Sequence, residues 1–301
     1  MSRSPGEIRG LFTALITPFG KDGKVDHAAL AALVRFQISA KVDGLLPCGS
    51  TGLGPLLTVQ ERKEVAETVL REVSGKVPVV VQVGCADTQS TIELARHAEK
   101  VGADAVASLT PYYYKPGEAA MIKHFETIKE SIGIPLFAYN IPQFTGNNLL
   151  PKTVASLARN SIIAGIKDSS RDVIQLLDLI EAVPNDFVVM NGTEAYALYA
   201  MMMGGDGVVS GGASAYPEIF RAMVAAYQSG DLAKASFEQG RILEFKEATK
   251  DAPIPSYYEI LNARGIGVGQ PRLPFQPLDS DERERLLASL KLRGLPTFAK
   301  E

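Results

Sequence analysis

The chain has 301 residues, of which 46% are hydrophobic and 22% charged, a composition typical of a folded globular protein. Its formal net charge of -3 argues against the basic surface that binding to nucleic acid or to an anionic membrane requires. Two cysteines are too few for a disulfide framework, and we therefore expect a cytoplasmic protein. The three histidines are widely separated and fit no histidine-based metal motif.

The longest stretch without a charged residue covers positions 131–151 and is nominally long enough to cross a bilayer. It contains three prolines and three asparagines, which are typical of a strand followed by a loop rather than of a membrane-spanning helix. The sequence therefore predicts no membrane partner.

Short apolar runs alternate with longer segments of helical period. Most of the runs are continuously apolar, which is typical of strands that are buried on both faces, as in a parallel sheet. The runs cover residues 11–16, 44–47, 77–83, 105–109, 135–139, 162–166, 187–190 and 207–209. Eight strand–helix repeats predict an α/β protein with the (β/α)8 TIM-barrel fold, with an open doubly wound sheet as the alternative.

Several helix boundaries can be recognised from their end residues. Residues 58–61 and 90–93 each have the pattern of a capping box, which predicts a helix start at both places. Pro151 suits the first turn of a helix, and Gly102 suits the position just after a helix ends.

The chain continues well beyond the helix that would complete the barrel. Helices are predicted at residues 216–229, 232–250, 253–265 and 279–293, of which the first completes the barrel and the last three lie beyond it. We therefore predict a barrel over residues 1–229 and a C-terminal helical extension over residues 230–301, packed on the barrel as one structural unit.

Lys167 closes the sixth apolar run and is therefore placed at the end of the barrel where active sites lie. Burial there removes water from an ammonium group and favours the neutral amine, which can attack a carbonyl carbon. The sequence thus indicates a Schiff-base lysine. The alternative is an ion pair with Asp168 or with another carboxylate at the rim.

Tyr139 ends the preceding strand in the same way and could move a proton to or from a substrate oxygen. Its alternative role is an aromatic plug with a satisfied hydroxyl group. Residues 49–52, with the sequence GSTG, offer backbone N–H groups and two hydroxyls in a tight turn, which suits a carboxylate or a phosphate.

Five motifs along the chain resemble those of the dihydrodipicolinate synthase / N-acetylneuraminate lyase superfamily. They are GSTG at 49–52, TPYYY at 110–114, YNIP at 139–142, GIKDSS at 165–170 and NGTE at 191–194. The resemblance implies a barrel with a C-terminal helical extension, assembled as a homotetramer that is a dimer of dimers. It also implies a Schiff-base enzyme that acts on pyruvate and an aldehyde, without a metal or an organic cofactor.

The same resemblance assigns roles to individual residues. It implies that Lys167 forms the Schiff base, that Tyr139 relays protons and that Tyr113 reaches toward the site of a neighbouring subunit. The residues that it implies for binding the substrate are Gly49, Ser50, Thr51, Gly192, Thr193 and Val209.

Departures from the superfamily pattern suggest a particular branch. Leu53 stands where the synthases and neuraminate lyases have glutamate, and Phe144 stands where the synthases place an arginine. Residues 268–278, VGQPRLPFQPL, are similar to a stretch of the 2-keto-3-deoxygluconate aldolases. We therefore expect an aldehyde-lyase of carbohydrate metabolism that cleaves 2-keto-3-deoxygluconate, or its 6-phosphate, to pyruvate and glyceraldehyde or its phosphate.

Three alternatives to this aldolase remain. The first is 4-hydroxy-tetrahydrodipicolinate synthase, which joins pyruvate to aspartate semialdehyde. The second is a keto-deoxy sugar acid dehydratase, which would use the same lysine. The third is a catalytically inactive barrel that only binds a ligand.

Overall fold

The computed structural model describes residues 4–296, so the ends of both predicted domains, residues 1–3 and 297–301, lie outside the described residues. Eight parallel strands form a barrel in the order β2-β1-β8-β7-β6-β5-β4-β3, and a bridge between Leu45 and Val79 joins the two end strands. The strands are β1 (Gly10–Ala14), β2 (Gly44–Leu46), β3 (Val80–Gln82), β4 (Ala105–Leu109), β5 (Leu136–Asn140), β6 (Gly165–Asp168), β7 (Val188–Asn191) and β8 (Gly207–Ser210). The predicted TIM barrel is confirmed.

Twelve helices surround and extend the barrel within residues 4–296. They are α1 (His27–Ser39), α2 (Val59–Val73), α3 (Thr88–Lys100), α4 (Glu118–Glu130), α5 (Pro142–Thr145), α6 (Pro151–Arg159), α7 (Val173–Ala182), α8 (Ala197–Met202), α9 (Pro217–Gln228), α10 (Leu232–Thr249), α11 (Pro253–Ala263) and α12 (Ser280–Leu292). Across the described part of the chain, none of these helices has the length and hydropathy needed to cross a membrane.

The helix boundaries agree with the sequence in three cases and differ in one. The capping box at 58–61 is present, Pro151 occupies the first turn of α6, and Gly102 follows the end of α3 with φ at +91°. The second predicted capping box is wrong, because α3 starts three residues earlier. The Asp87 carboxylate, a stronger acceptor than a serine hydroxyl, caps that helix by accepting a hydrogen bond from the Ser90 backbone N–H.

The interior of the barrel is filled by apolar side chains from alternate positions along the strands. Glycines make room for the largest of them, because a Cβ at Gly165 would overlap the ring of Phe137. Other members of this interior cluster are Ile8, Phe12, Leu46, Val80, Val188, Met190 and Val209. The cluster forms an apolar floor, so polar side chains within the barrel lie above it, at the carboxyl ends of the strands.

Helices α10 to α12 follow the barrel and are hydrogen-bonded to it. On α11, the buried Tyr258 donates its hydroxyl to the carbonyl oxygen of Thr17, in the loop after β1. Arg272, in the segment before α12, forms an ion pair with Glu61 on α2. These contacts attach the C-terminal extension to one end of the barrel. The predicted boundary between barrel and extension at residue 229 stays a prediction.

His124 on α4 provides a test of how burial affects stability. Its ring is 4% exposed, its Nδ1 lies 2.9 Å from the Thr88 hydroxyl, and burial lowers its pKa from 6.5 to about 4. Between those two values the unfolded chain binds the proton and the folded chain does not. Acidification through this window therefore removes stability. We expect the wild type to lose about 2 kcal/mol more than His124→Gln when urea unfolding is compared at pH 7 and pH 4.5.

The matched control for this measurement is His27→Gln. The His27 side chain is 38% exposed and, like His124, has a threonine hydroxyl beside its Nδ1. This variant removes an exposed histidine, so a change in pH dependence that it shares with His124→Gln is not caused by burial of the ring. Equal pH dependence in the wild type and His124→Gln would contradict the prediction.

Candidate active site

The side chains of Lys167 and Tyr139 lie side by side at the carboxyl ends of β6 and β5. The two residues are paired in the register of the parallel strands, so both side chains point to the same face of the sheet. The Nζ atom of Lys167 is 4.1 Å from the centroid of the Tyr139 ring. The residues are 6% and 2% exposed. An amine and a phenol are thus held together in a site largely closed to water.

The ion pair between Lys167 and Asp168, which the sequence left open, does not form. Successive residues of a strand point to opposite faces, and the Asp168 side chain faces away from the barrel interior. Its two oxygens accept hydrogen bonds from Asn140 Nδ2 at 2.8 Å and from the Ser170 hydroxyl at 2.6 Å. Burial raises the pKa of Asp168, while these hydrogen bonds act in the opposite direction. Among residues 4–296, no carboxylate forms an ion pair with Lys167.

The loop 49–52 lies beside this pair. The Ser50 hydroxyl is 3.3 Å from the Tyr139 hydroxyl, within hydrogen-bond distance. The loop is fixed by its carbonyl groups, because Leu53 N donates to Ser50 O and the Thr17 hydroxyl donates to Gly52 O at 2.6 Å. Within the described chain, the N–H groups of Ser50 and Thr51 have no hydrogen-bond acceptor. Two free N–H groups and two hydroxyls suit a small carboxylate.

Gly192, just after β7, gives Lys167 the space it occupies. Its N–H donates to the carbonyl oxygen of Asp168 at 2.6 Å. A Cβ at this position would overlap the Ser169 hydroxyl and would lie 2.9 Å from Cε of Lys167. Any larger residue must therefore displace one of the two side chains.

The variant Gly192→Ala tests this packing. Because the added methyl group forces Lys167 or Ser169 to move, we expect kcat/KM to fall by about 10- to 100-fold with little change in fold. Gly240→Ala is the matched control, since a Cβ there meets nothing within 4 Å. Steady-state kinetics of the two variants, with circular dichroism, provide the measurement. Equal activity of both would show that Gly192 is not needed for the placement of Lys167.

Three further residues from the sequence prediction occupy different places. Val209 lies in the apolar floor together with the buried part of Lys167. Thr193 is half-buried next to Gly192, and its N–H donates to the side chain of Asn191 at 2.9 Å. The Tyr113 side chain is 86% exposed and so completes no contact inside this subunit's site.

The backbone of Tyr113 is nevertheless held in one conformation. Its φ is +77°, which is unfavourable for a bulky residue, and its ring packs edge-on against Tyr114. Asn147 holds this loop by donating to the carbonyl oxygens of Pro111 and Tyr114. The loop therefore presents two aromatic rings to solvent on a constrained backbone.

Ser169 is a residue of the site that the sequence prediction missed. It follows Lys167 by two positions and thus points to the same face of the strand. It is 3% exposed, and within the described chain its hydroxyl has no hydrogen-bond partner. Its spacing of two residues from Lys167 could have placed Ser169 on the same face from the sequence alone. The sequence could not show that the Ser169 hydroxyl lacks a partner.

The thiols near the strand ends are not candidates for the nucleophile. Cys48 is 1% exposed, and burial raises its pKa to about 11. Burial also raises the pKa of Cys85. Both are therefore protonated at neutral pH.

The described residues contain no group of three or more His, Cys, Asp or Glu side chains placed to bind a metal ion. The absence of a cofactor stays a prediction.

Comparison with known proteins agrees with this architecture. The model of the Dihydrodipicolinate synthetase family matches residues 7–293. The chain is 36% identical over 292 residues to the 4-hydroxy-tetrahydrodipicolinate synthase of Maridesulfovibrio salexigens, covering 96% of this chain and 99% of the relative. It is 38% identical to the synthase of Chlorobium limicola, covering 93% and 95%.

Solved structures lead to the same family. YagE, a prophage protein of the dihydrodipicolinic acid synthase family from E. coli K12 in complex with pyruvate, superposes with a TM-score of 0.93 at 32% identity. That alignment covers 96% of this chain and 99% of YagE. A monomeric dihydrodipicolinate synthase variant superposes with a TM-score of 0.91 at 33% identity, covering 97% and 99%.

These relatives correct the expected branch. The prediction of a 2-keto-3-deoxygluconate aldolase of carbohydrate metabolism is wrong, because the near-full-length relatives are named 4-hydroxy-tetrahydrodipicolinate synthases. The prediction rested on the similarity of residues 268–278 and on two single positions, Leu53 and Phe144. Leu53 is 2% exposed in the hydrophobic core, and Phe144 is 67% exposed on α5. Agreement along the whole chain outweighs these two local differences, and this chain belongs to the dihydrodipicolinate synthetase family.

Proposed function

We propose that this protein is a 4-hydroxy-tetrahydrodipicolinate synthase, which condenses pyruvate with aspartate semialdehyde through a Schiff base. The observation that carries the proposal is the buried Lys167 amine, which has no carboxylate partner in the described chain and lies 4.1 Å from the centroid of the Tyr139 ring. The Tyr139 hydroxyl in turn lies 3.3 Å from the Ser50 hydroxyl of the 49–52 loop. The names of the near-full-length relatives support the choice of reaction.

In the proposed first step, the amine of Lys167 attacks the C2 carbonyl of pyruvate, and loss of water leaves an iminium ion. Gly49, Ser50 and Thr51 bind the pyruvate carboxylate and so fix C2 near the amine. The iminium ion withdraws electrons, so the methyl group C3 passes a proton to the hydroxyl relay of Tyr139 and Ser50 and becomes an enamine. This step needs no metal, because the positive nitrogen stabilises the electron pair.

In the second step, C3 of the enamine attacks the aldehyde carbon, and the aldehyde oxygen takes a proton. Tyr139 supplies that proton, and its contact with Ser50 gives a path for the proton to return. The amino group of the semialdehyde then attacks C2, closes the ring and releases Lys167. Gly192, Thr193 and Val209 line the cavity in which this exchange occurs.

We further propose that the protein assembles as a homotetramer, a dimer of dimers. The exposed aromatic pair Tyr113–Tyr114, on its constrained loop, supports an interface there that would bring Tyr113 to a neighbouring site. Sedimentation velocity of the wild type tests the assembly. A monomer at micromolar concentration that is fully active would overturn it.

The test of the reaction is a direct comparison of acceptor aldehydes. Purified protein with pyruvate and aspartate semialdehyde should form the cyclic product, observed by mass spectrometry, faster than any adduct of pyruvate and glyceraldehyde. Borohydride trapping of pyruvate provides the control for a functional lysine. Trapping without condensation on the semialdehyde would overturn the synthase while leaving the Schiff base intact. Water loss from a keto-deoxy sugar acid would then favour the dehydratase.

A further inference from the structure

Glu194 is a buried carboxylate that the reaction described above does not use. It begins a short 3-10 helix after β7, and its side chain is 8% exposed. One oxygen, Oε1, accepts hydrogen bonds from the Ser210 hydroxyl at 2.6 Å and from the Gly212 backbone N–H at 2.8 Å. Glu194 therefore fixes the turn that follows β8.

The turn after β8 packs directly against the loop that we assign to the pyruvate carboxylate. A Cβ at Gly211 would lie 2.5 Å from the Thr51 hydroxyl oxygen. The Thr51 side chain therefore packs directly against the backbone of the turn. The Ser210 hydroxyl also accepts a hydrogen bond from Ala213 N at 2.9 Å. The Ser210 hydroxyl thus donates to Glu194 and accepts from Ala213. It stabilises the turn through both hydrogen bonds.

The C-terminal extension contacts the same carboxylate from the other side. The Lys246 ammonium group, on α10, lies 3.6 Å from the second oxygen of Glu194. Gln239, also on α10, donates to the backbone carbonyl oxygen of Glu194 at 3.0 Å. The negative charge of Glu194 is thus balanced by the extension and by donors of the turn.

We propose that Glu194, held by Lys246, is a positioning residue for the pyruvate-carboxylate site, acting through the turn 210–212 on Thr51. The inference rests on the proposed function, because it assumes that the 49–52 loop binds pyruvate. Without the carboxylate, the Gly212 N–H and the Ser210 hydroxyl lose a buried acceptor, and the turn must move to find another. That movement affects the binding of pyruvate, while the register of β5 and β6 keeps the Tyr139 ring against Lys167.

The experiment measures the pyruvate concentration that gives half-maximal inactivation by borohydride, which reports binding without any second substrate. For Glu194→Ala we expect this concentration to rise about 10-fold, with a limiting inactivation rate close to that of the wild type. For Glu194→Gln, which keeps an acceptor oxygen, the rise should stay below about threefold. Lys246→Met should raise it about three- to tenfold, and adding Glu194→Gln to Lys246→Met should reverse most of that rise.

Glu247→Gln is the matched control, because Glu247 is on the same helix and forms its ion pair with the exposed Lys250. A half-saturating concentration for Glu194→Ala within twofold of the wild type, or an equal rise in Glu247→Gln, would overturn the inference. If Glu194→Ala does not fold, the Lys246→Met value decides by the same limit. Failure of the wild type to be trapped at Lys167 would instead overturn the proposed function.

Discussion

Lys167→Ala is expected to abolish both covalent labelling by pyruvate and turnover. Incubation of the wild type with pyruvate and borohydride should add one reduced pyruvyl group per chain, located by peptide mass spectrometry at Lys167. The physical reason is that the iminium ion is the electron sink for the carbon–carbon bond, and among the residues described at this site Lys167 is the one that carries an amine. The apolar floor beneath Lys167 and the neighbouring Tyr139 ring hold the amine in a closed space.

The control for this variant is Lys76→Ala. Lys76 also adjoins a strand, but it precedes β3 and so lies at the opposite end of the barrel from Lys167. This variant should keep full labelling and full activity. Labelling of the wild type at a lysine other than 167, or residual labelling in Lys167→Ala, would contradict the mechanism.

Tyr139→Phe is expected to lower kcat by about 10²- to 10⁴-fold while imine formation with pyruvate continues. The ring remains against Lys167 in this variant, so the packing around the amine is preserved. Only the hydroxyl that contacts Ser50 is lost, and with it the group that passes the proton to the aldehyde oxygen. The measurement combines steady-state kinetics with borohydride trapping, which separates the chemical step from binding.

Tyr227→Phe is the corresponding control. The Tyr227 hydroxyl donates to the carbonyl oxygen of Met201, so its removal affects only a structural hydrogen bond. It should change stability slightly and kcat by less than about twofold. A Tyr139→Phe enzyme with near-normal kcat would show that the Tyr139 hydroxyl is structural as well.

The strands of the barrel and their alternation with helices follow from local features of the sequence. Continuous apolar runs form strands only where both faces are covered. The cap Thr58 and the first-turn residue Pro151 define helix starts within a single turn. The same logic placed Lys167 and Tyr139 at strand ends, because Tyr139 is the last residue of one apolar run and Lys167 directly follows another. These are short-range effects, so one sequence is enough to predict them.

The branch of the family was not predictable in this way. Leu53 and Phe144 differ from the synthase pattern, but a residue type does not reveal where its side chain lies. Leu53 is buried in the core and Phe144 faces solvent. Only similarity along nearly the whole chain could weigh these differences correctly.

What the sequence by itself determined is the fold, together with the position of the candidate reactive side chains Lys167 and Tyr139 at the ends of two strands. The tertiary structure decided how those side chains are paired. It turned Asp168 toward Asn140 and away from Lys167, left the Ser169 hydroxyl without a partner in the described chain, and joined Glu194 to Ser210 and Gly212. The physical reason is that hydrogen bonds and charge pairing depend on distances of a few ångströms between residues far apart in the chain, which strand register and loop packing set together.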